Sequence, residues 1–428
     1  MKASLPQRIG LVDFNAPELM QLALGLARRG RLRAYVRPYV NKQRRWERAL
    51  AATPGIRRMY LETFGRRQIA EPKLRALTVE AGVWPDLLAA VVSRSRGLPS
   101  PVRLRWREAL YARLQRAVAQ RGARAASGCD AVIAYPGFAR AAFSRMRESG
   151  AGVAVLNYPI AHYRFHQTVR QREIEAVPEF ASTWPEEDAW RSDRAEQIEA
   201  EIAAADLILL GSRFAERSFV EQGVPARRLA VAEYGVDHSL FAPSPRGAGG
   251  GSRSKMSILF VGQIGQRKGL SYLLEAYRSF AGPGTELTLV GNFAGSEAPL
   301  RPFRNLFRHM PNQPRTELAN IYRRSDVFVF PTLLEGMGLV VLEAMACGLP
   351  AIVTDCGPGD LVRDGVDGFI VPARNSEAIV ERLQHLASHP ELRAEMGHNA
   401  RRRALEFTWN AYLGRVEAAL DDRARELR

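Results

Sequence analysis

One stretch of the chain decides its fold: residues 327–358, VFVFPTLLEGMGLVVLEAMACGLPAIVTDCGP. The apolar run Val327–Phe330 is typical of a buried parallel strand and ends at Pro331. A loop follows, and then good helix formers run from Leu339 to Cys347. A second apolar strand, Ala351–Val353, closes a βαβ unit, so this stretch predicts a parallel sheet covered by helices.

The loop between this strand and this helix suits an anion. Gly336–Gly338 precede the helix, where backbone N–H groups and the positive helix end lie beside the carboxyl end of a strand. Two carboxylates eight residues apart, Glu335 and Glu343, flank this position. The helix dipole would account for either glutamate alone but not for their joint setting. We therefore expect the N–H groups of Gly338 and Leu339 to hold phosphate oxygens.

This combination resembles the signature of glycosyltransferase family 4, in which two glutamates are separated by seven residues. The setting of Glu335 and Glu343 is PTLLEGMGLVVLEAMACGLP. Residues 258–269, ILFVGQIGQRKG, resemble the start of the family's donor-binding domain, and the likeness extends over about residues 130–415. The resemblance implies the GT-B fold. That fold is an α/β architecture of two Rossmann-like domains facing a central cleft, with a C-terminal helix crossing back to the first domain.

The resemblance also implies chemistry. A retaining hexosyltransferase of this kind takes a UDP- or GDP-sugar as donor substrate and needs neither a metal nor another cofactor. Glu335 would face the transferred sugar near its reacting carbon, and Glu343 would accept hydrogen bonds from ribose hydroxyls. Further donor contacts are implied for the residues around the helix start: Gly336, Met337, Gly338 and Leu339. Met337 stands where the family usually has phenylalanine.

A second loop, Gly262–Gly269, follows the predicted strand Ile258–Val261. The family usually carries arginine at the position of Gln263 and lysine at that of Lys268, and both cations hold the donor's diphosphate. Adjacent Arg267 could replace the missing charge. A simple βα connection is the alternative for this loop by itself. Donor binding is predicted for four of its residues: Gly262, Gln263, Arg267 and Lys268.

A histidine is the remaining candidate. His162 follows the predicted strand Val153–Leu156, in a region where the family has a histidine that reaches the sugar or the acceptor. Imidazole can donate or accept a hydrogen bond near neutral pH, so His162 is predicted as a second catalytic residue. His166 competes for this role, and a structural histidine is the alternative.

The acceptor side is less defined. Asn15 and Glu18 occupy the place where the family often has a glycine-rich acceptor loop, and those glycines are absent. The acceptor is expected to be a saccharide or a lipid-linked molecule lying against residues 1–240.

Length and composition predict two domains, since 428 residues are too many for one core. The predicted parts are an acceptor-side domain over 1–243, a Gly/Ser-rich linker over 244–257, a donor-binding domain over 258–404, and a helix over 405–428 that packs back on the first domain. Residues 40–125 are mostly helical without clear strands, and residues 292–314 are predicted to be a loop.

The net charge of +16 belongs to the first third of the chain. Residues 1–150 hold 29 Lys and Arg against 10 Asp and Glu. The arginines form three clusters: Arg28, Arg29, Arg31, Arg33 and Arg37; Arg44, Arg45 and Arg48; Arg103, Arg105 and Arg107. Contact with an anionic membrane surface and a solvated basic face both remain open. Nucleic acid is not expected, because no recognised binding module accompanies the charge.

The remaining features point to the cytoplasm. No apolar run approaches the roughly 18–20 residues of a membrane span, and the N-terminus lacks an apolar segment of signal-peptide length. Cys129, Cys347 and Cys356 show no metal-ligand spacing and are expected to be buried thiols in a reducing compartment. Peripheral contact with the inner face of the cell membrane stays open.

The sequence therefore predicts a glycosyltransferase of cell-envelope, exopolysaccharide or glycolipid synthesis. Two alternatives remain: another GT-B enzyme, such as an epimerase or phosphorylase, and a non-catalytic partner that binds a sugar nucleotide. Nothing in the sequence selects the sugar, the base or the linkage.

Overall fold

The structure, a computed structural model, describes residues 6–55, 57, 60, 67–85, 88, 92, 100–150, 152–184, 192–244 and 255–427. The chain forms two compact units. The first comprises residues 1–158, 192–209 and 413–428, and the second comprises 159–191 and 210–412. Positions 245–254 of the predicted linker lie outside the described residues.

Part of the predicted first domain belongs to the second unit. Residues 159–191 and 210–243 both cluster with the residues of the second sheet. Their contacts with the loops of the second sheet account for this grouping. One example is the backbone N–H of Gln266, which donates to Thr183 Oγ1 at 3.0 Å.

The first sheet is built from short apolar strands. In chain order these are Ile9–Val12 (β1), Leu32–Arg37 (β2), Thr78–Glu80 (β3), Ala131–Ala134 (β4), Val153–Asn157 (β5), Leu207–Leu210 (β6) and Leu229–Val231 (β7). The spatial order is β3-β2-β1-β4-β5-β6-β7, and the pairs from β3 to β6 are parallel. Strands β1, β4, β5 and β6 are buried along their whole length, as expected where helices cover both faces.

Helices flank this sheet. In the first unit they are Pro17–Arg28, Arg45–Ala52, Pro72–Leu77, Ser100–Ala126, Ala139–Glu148, Ser192–Ala204 and residues 413–426 of the helix Trp409–Glu426. The predicted strand Val153–Leu156 is confirmed as β5, which extends one residue further to Asn157.

The C-terminal helix packs within the first unit, as the resemblance implies. Arg31 donates to Glu417 at 2.8 Å and to Asp421 at 2.9 Å, and Arg29 also pairs with Glu417. Arg37 of the same predicted basic cluster is only 3% exposed. These three arginines are therefore engaged inside the unit and do not form a free basic surface.

The second sheet repeats the pattern. Its strands are Met256–Val261 (β8), Thr285–Val290 (β9), Phe307–Met310 (β10), Val327–Phe330 (β11), Ala351–Thr354 (β12) and Gly368–Val371 (β13). All neighbours in the order β10-β9-β8-β11-β12-β13 pair in parallel. Successive connections leave β8 and β11 in opposite directions, so the loops after these two strands border the switch point of the sheet. The predicted α/β fold with two Rossmann-like sheets is confirmed.

The helices of the second unit connect these strands and frame their loops. The α-helices are Tyr163–Ala176, Arg213–Glu221, Leu270–Phe280, Arg315–Arg323, Leu339–Ala346, Ser376–Ser388 and Pro390–Ala404. Short 3₁₀ helices cover Pro178–Thr183, Ala226–Arg228, Gln266–Lys268, Ala298–Phe303 and Pro358–Asp360.

Two strands lie in segments predicted to contain none, so these predictions are wrong. β3 lies within residues 40–125, where the sequence analysis finds no strand, and β10 lies within residues 292–314, predicted as a loop. Both are edge strands of their sheets. An edge strand pairs on one side only, so the sequences TVE and FRHM can form strands without a continuous apolar run.

Among the residues that the structure describes, no helix combines the length and apolarity needed to cross a bilayer. Cys129 and Cys347 are buried as predicted, whereas Cys356 is only half-buried. Burial raises the pKa of the Cys347 thiol and of the Cys356 thiol to about 12, so both stay protonated at neutral pH.

Candidate functional site

The loops after β8 and β11 are joined at the switch point of the second sheet. The N–H of Leu333 donates to the carbonyl of Arg267 at 2.9 Å, and the Arg267 guanidinium donates to the carbonyl of Leu334 at 3.0 Å. Gly269 has a φ of 71°, and a Cβ there would lie 1.9 Å from the Pro331 carbonyl oxygen. Only glycine permits this approach, and the two loops act as one structural piece.

Two cations and a carboxylate meet on these loops. Lys268 forms an ion pair with Glu335, and Arg267 Nη1 lies 3.7 Å from the same carboxylate. Lys268 is only 7% exposed, and its ammonium lies 4.9 Å from the centre of the Phe330 ring. The structure thus brings together three of the residues predicted from sequence. A phosphate entering here would find two fixed positive groups in a partly desolvated position.

The glycines after Glu335 shape the entry to the next helix. Glu335 Oε1 accepts the N–H of Gly336 at 3.1 Å, and a Cβ at Gly336 would lie 1.8 Å from the Pro159 carbonyl oxygen. Gly338 has a φ of 84°, which a residue with a side chain rarely adopts. The helix begins at Leu339, and the N–H of Val341 already donates to the Gly338 carbonyl at 2.9 Å, so the N–H groups of Leu339 and Val340 are the ones suited to an anion at the helix start.

Three predicted donor residues differ in their placement. Met337 is 1% exposed, and its sulfur accepts the N–H of Tyr234 at 3.0 Å, so its side chain anchors the loop from inside. Gln263 is exposed, and Gly262 has a φ of 149°, a conformation that favours glycine. For Met337, therefore, the backbone can face a ligand without rearrangement, whereas the side chain cannot.

Glu343 lies inside the helix Leu339–Ala346 with different neighbours. Burial raises the pKa of Glu343 to about 7, while nearby Arg315 and a hydrogen bond from Tyr322 oppose the rise. Arg315 Nη2 is 3.7 Å and the Tyr322 hydroxyl 3.4 Å from the carboxylate oxygens. A hydroxyl-rich ligand would supply further donors and favour the ionised form.

His162 is a helix cap. Its Nδ1 accepts the backbone N–H of Arg164 at 3.2 Å, and the ring is only 2% exposed. The adjacent residues Pro159 and Ala161 contact Gly336 and Leu334, so this segment lies against the Glu335 loop. The geometry gives His162 a structural task, and its contact with sugar or acceptor stays a prediction.

His166, the competing histidine, is buried beside the same loops. Its Nε2 accepts the indole N–H of Trp184 at 3.3 Å. Burial, together with the positive charges of Arg267 and Arg170, lowers the pKa of His166 to about 3. His166 is therefore neutral at physiological pH and serves as a hydrogen-bond acceptor.

A polar network around Glu173 lies next to this site and is not predicted from the sequence. Glu173, buried in the helix Tyr163–Ala176, accepts hydrogen bonds from Gln266 and Arg374, each at 2.7 Å. The partners are 93 and 201 residues away along the chain. No local spacing could have revealed them.

The first unit has its own polar cluster at the carboxyl edge of its sheet. Asp13 follows β1 and accepts the Tyr35 hydroxyl at 2.6 Å, and Glu18 accepts the Asn157 amide at 3.2 Å. Burial raises the pKa of Glu18 to about 7. Arg37 donates to Asn15, the residue predicted beside Glu18, at 2.8 Å.

Metal ligands are not grouped in the described part of the chain. No set of three or more His, Cys, Asp or Glu side chains among those residues is arranged to hold an ion.

A protein-family model matches part of the second unit. Residues 251–403 match the family described as glycosyl transferases group 1, and this segment includes both loops of the switch point. A D-inositol 3-phosphate glycosyltransferase from Saccharomonospora viridis is 33% identical over 213 residues, which cover 45% of this chain and 48% of that protein. Another, from Geodermatophilus obscurus, is 31% identical over 53% of this chain and 54% of that protein. The chain spans about half the length of the curated relatives it matches.

Solved structures extend the likeness to nearly the whole chain. Sucrose-phosphate synthase from Thermosynechococcus elongatus has a TM-score of 0.63 at 18% identity and covers 96% of this chain and 97% of its own. HepE from Anabaena, solved in complex with UDP and glucose, has a TM-score of 0.61 at 16% identity and covers 97% of this chain and 100% of its own. At these identities the likeness shows the fold, which is GT-B.

The raised pKa of Glu343 predicts a pH-dependent stability. The carboxyl ionises near 4.5 when unfolded and near 7 when folded, so wild-type stability falls as pH rises between these values. Glu343→Gln cannot ionise and avoids this loss. We expect the Tm of the variant, measured by thermal unfolding, to exceed that of wild type by about 5 °C more at pH 8 than at pH 5.

Glu317→Gln is the matched control, because Glu317 lies on the helix Arg315–Arg323 with 43% of its side chain exposed. Its Tm difference from wild type should not grow with pH. An equal difference for Glu343→Gln at both pH values would contradict the proposed cost of ionising this buried carboxyl.

Proposed function

We propose that this chain is a group 1 glycosyltransferase that moves a sugar from a UDP- or GDP-sugar to a hydroxyl of a saccharide or lipid-linked acceptor. The observation that carries the proposal is the meeting of Lys268, Arg267 and Glu335 at the switch point of the second sheet. The family match over residues 251–403 supports it, and so does the UDP held by HepE, a protein of the same fold.

The donor's diphosphate would replace Glu335 as the partner of Lys268. A departing nucleoside diphosphate gains negative charge, and Lys268, Arg267 and the N-terminus of the Leu339 helix supply positive potential where that charge develops. The released Glu335 carboxylate could then accept hydrogen bonds from the transferred sugar. Donor entry would thus convert an internal ion pair into two ligand contacts.

Glu343 would bind the ribose. Its carboxylate can accept two hydroxyl donors, and its partial burial makes such bonds valuable. Retention of the anomeric configuration follows from the resemblance to family 4 and forms part of the proposal. Positioning of donor and acceptor would supply much of the rate.

The acceptor would lie against the carboxyl edge of the first sheet. Asp13, Glu18 and Asn157 lie where ligands bind in open parallel sheets, at the ends of β1 and β5. Two carboxyl groups suit an acceptor that presents hydroxyl donors. A saccharide or the sugar end of a lipid-linked molecule has this chemistry and would place the enzyme in cell-envelope, exopolysaccharide or glycolipid synthesis.

Membrane contact is proposed for one helix of the first unit. On the helix Ser100–Ala126, exposed Arg105, Arg113 and Arg116 share one face at spacings of eight and eleven residues. Trp106, which is 61% exposed, lies at the side of this face. Basic residues and tryptophan together suit the interface of an anionic membrane.

Glu335→Ala should abolish sugar transfer while leaving the fold intact, because the residue is proposed to contact the transferred sugar. The assay incubates the protein with a panel of UDP- and GDP-sugars and follows thermal stabilisation and nucleoside diphosphate release, with and without saccharide acceptors. Glu377→Ala, an exposed glutamate on the helix Ser376–Ser388, is the control and should keep wild-type turnover.

Near-normal turnover of Glu335→Ala would refute its assigned role. Diphosphate release without acceptor, or cleavage that requires phosphate, would favour a different GT-B reaction. Donor binding without turnover would favour a non-catalytic binding partner.

The membrane proposal is tested by sedimentation with vesicles containing phosphatidylserine. Arg105→Ala/Arg113→Ala/Arg116→Ala should weaken pelleting by about a hundredfold in partition coefficient, since each basic residue contributes about 1 kcal/mol. Arg301→Ala/Arg308→Ala/Arg402→Ala removes three exposed arginines from the second unit and serves as the control. Equal pelleting of the two triple variants would exclude this helix as the contact surface.

A further inference from the structure

A buried carboxylate from the first half of the chain is built into the donor side of the second unit. Glu173 lies in the helix Tyr163–Ala176 and is 1% exposed. Its Oε1 accepts the Gln266 amide at 2.7 Å, and its Oε2 accepts Nε of Arg374 at 2.7 Å. Tyr272 is a further neighbour, and its pKa is raised by burial and by the negative charge of Glu173. One carboxylate therefore joins the helix Tyr163–Ala176 to the segment around Gln266 and to the segment around Arg374.

Gln266 connects this carboxylate to the two proposed phosphate-binding cations. It is the first residue of the 3₁₀ turn Gln266–Lys268, which carries Arg267 and Lys268. The Gln266 side chain is fixed at both ends, since its amide N–H₂ also donates to Ser271 Oγ at 2.5 Å and its carbonyl accepts the Ser271 N–H at 3.0 Å. The hydrogen bond from Gln266 to Glu173 thus ties this turn to the helix Tyr163–Ala176.

The segment that follows Glu173 supports the same turn through its backbone. A Cβ at Gly265 would lie 2.4 Å from the Thr183 carbonyl oxygen, and one at Gly295 would lie 1.9 Å from the Ser182 carbonyl oxygen. The N–H of Gln266 donates to Thr183 Oγ1 at 3.0 Å. Residues 173–183 thus pack against the loops that follow β8 and β9.

We propose that Glu173 is a positioning residue for the donor's diphosphate, an assignment that rests on the proposed function. It does not touch the ligand. It fixes the Gln266–Lys268 turn. Arg267 and Lys268 therefore keep their positions when a phosphate replaces Glu335 as their partner. Without it, the Gln266 amide and the Arg374 guanidinium would lose their shared acceptor, and the turn would be held less firmly in this geometry.

The test uses Glu173→Gln in the full-length chain, with UDP, GDP and their monophosphates as probes in titration calorimetry. The variant keeps a carbonyl oxygen that can accept from one of the donors Gln266 and Arg374, and its amide N–H₂ group then faces the other donor. We expect the dissociation constant of the diphosphate that wild type binds to rise about tenfold, as for lost hydrogen bonds to a charged group. Affinity for the corresponding monophosphate should change less than about twofold, because it makes fewer phosphate contacts.

Two further variants separate positioning from general stability. Glu175→Gln alters an exposed glutamate on the same helix, one that accepts from Gln171 at 2.7 Å, and should bind like wild type. The exchange Glu173→Gln/Gln266→Glu restores a matched pair, because the new amide donates to the new carboxylate and its carbonyl can accept from Arg374. This double variant should recover most of the diphosphate affinity.

The outcomes are distinct. Wild-type affinity in Glu173→Gln, or an equal loss for diphosphate and monophosphate without rescue by the exchange, overturns the positioning role alone. Absence of any UDP or GDP binding by the wild-type chain overturns the proposed function, and this inference with it.

Discussion

The ion pair between Lys268 and Glu335 joins the loops of two neighbouring strands, and the rest of the site is arranged around it. The strand order brings β8 and β11 side by side, and Gly269 lets one loop touch the backbone of the other. A lysine that is nearly buried needs a partner, since an isolated charge in such a place is costly. In this structure the Glu335 carboxylate is that partner, and an anionic ligand could take its place.

Much of the fold could be predicted from sequence because fully buried parallel strands leave a simple pattern. Val327–Phe330 is a continuous apolar run and a strand with the predicted bounds, and the predicted strand Ala351–Val353 extends one residue further. The strands Thr78–Glu80 and Phe307–Met310 could not be predicted, because at a sheet edge neither length nor apolarity is required. A run of apolar residues therefore indicates a strand buried on both faces of a sheet. It does not identify the strands that pair at the edge of the sheet.

The candidate site divides in the same way. Arg267, Lys268 and Glu335 could be predicted because short motifs carry them on two loops, and the structure brings them into contact. The inward direction of Met337 and the hydrogen bonds of Glu173 could not be predicted. These depend on partners far away along the chain, and hydrophobic periodicity carries no information about such partners. The same holds for the arginines of the first unit, whose acidic partners lie on the C-terminal helix.

The grouping of residues 159–191 with the second unit limits how this protein can be divided or recombined. Exchanging only residues 258–404 with a relative, in order to alter donor preference, would separate Gln266 and Arg374 from their shared carboxylate. A chimera that keeps these contacts would have to exchange the helix Tyr163–Ala176 and the 3₁₀ helix Pro178–Thr183 together with residues 258–404. The second unit is thus discontinuous along the chain, and an exchange of segments has to respect both of its parts.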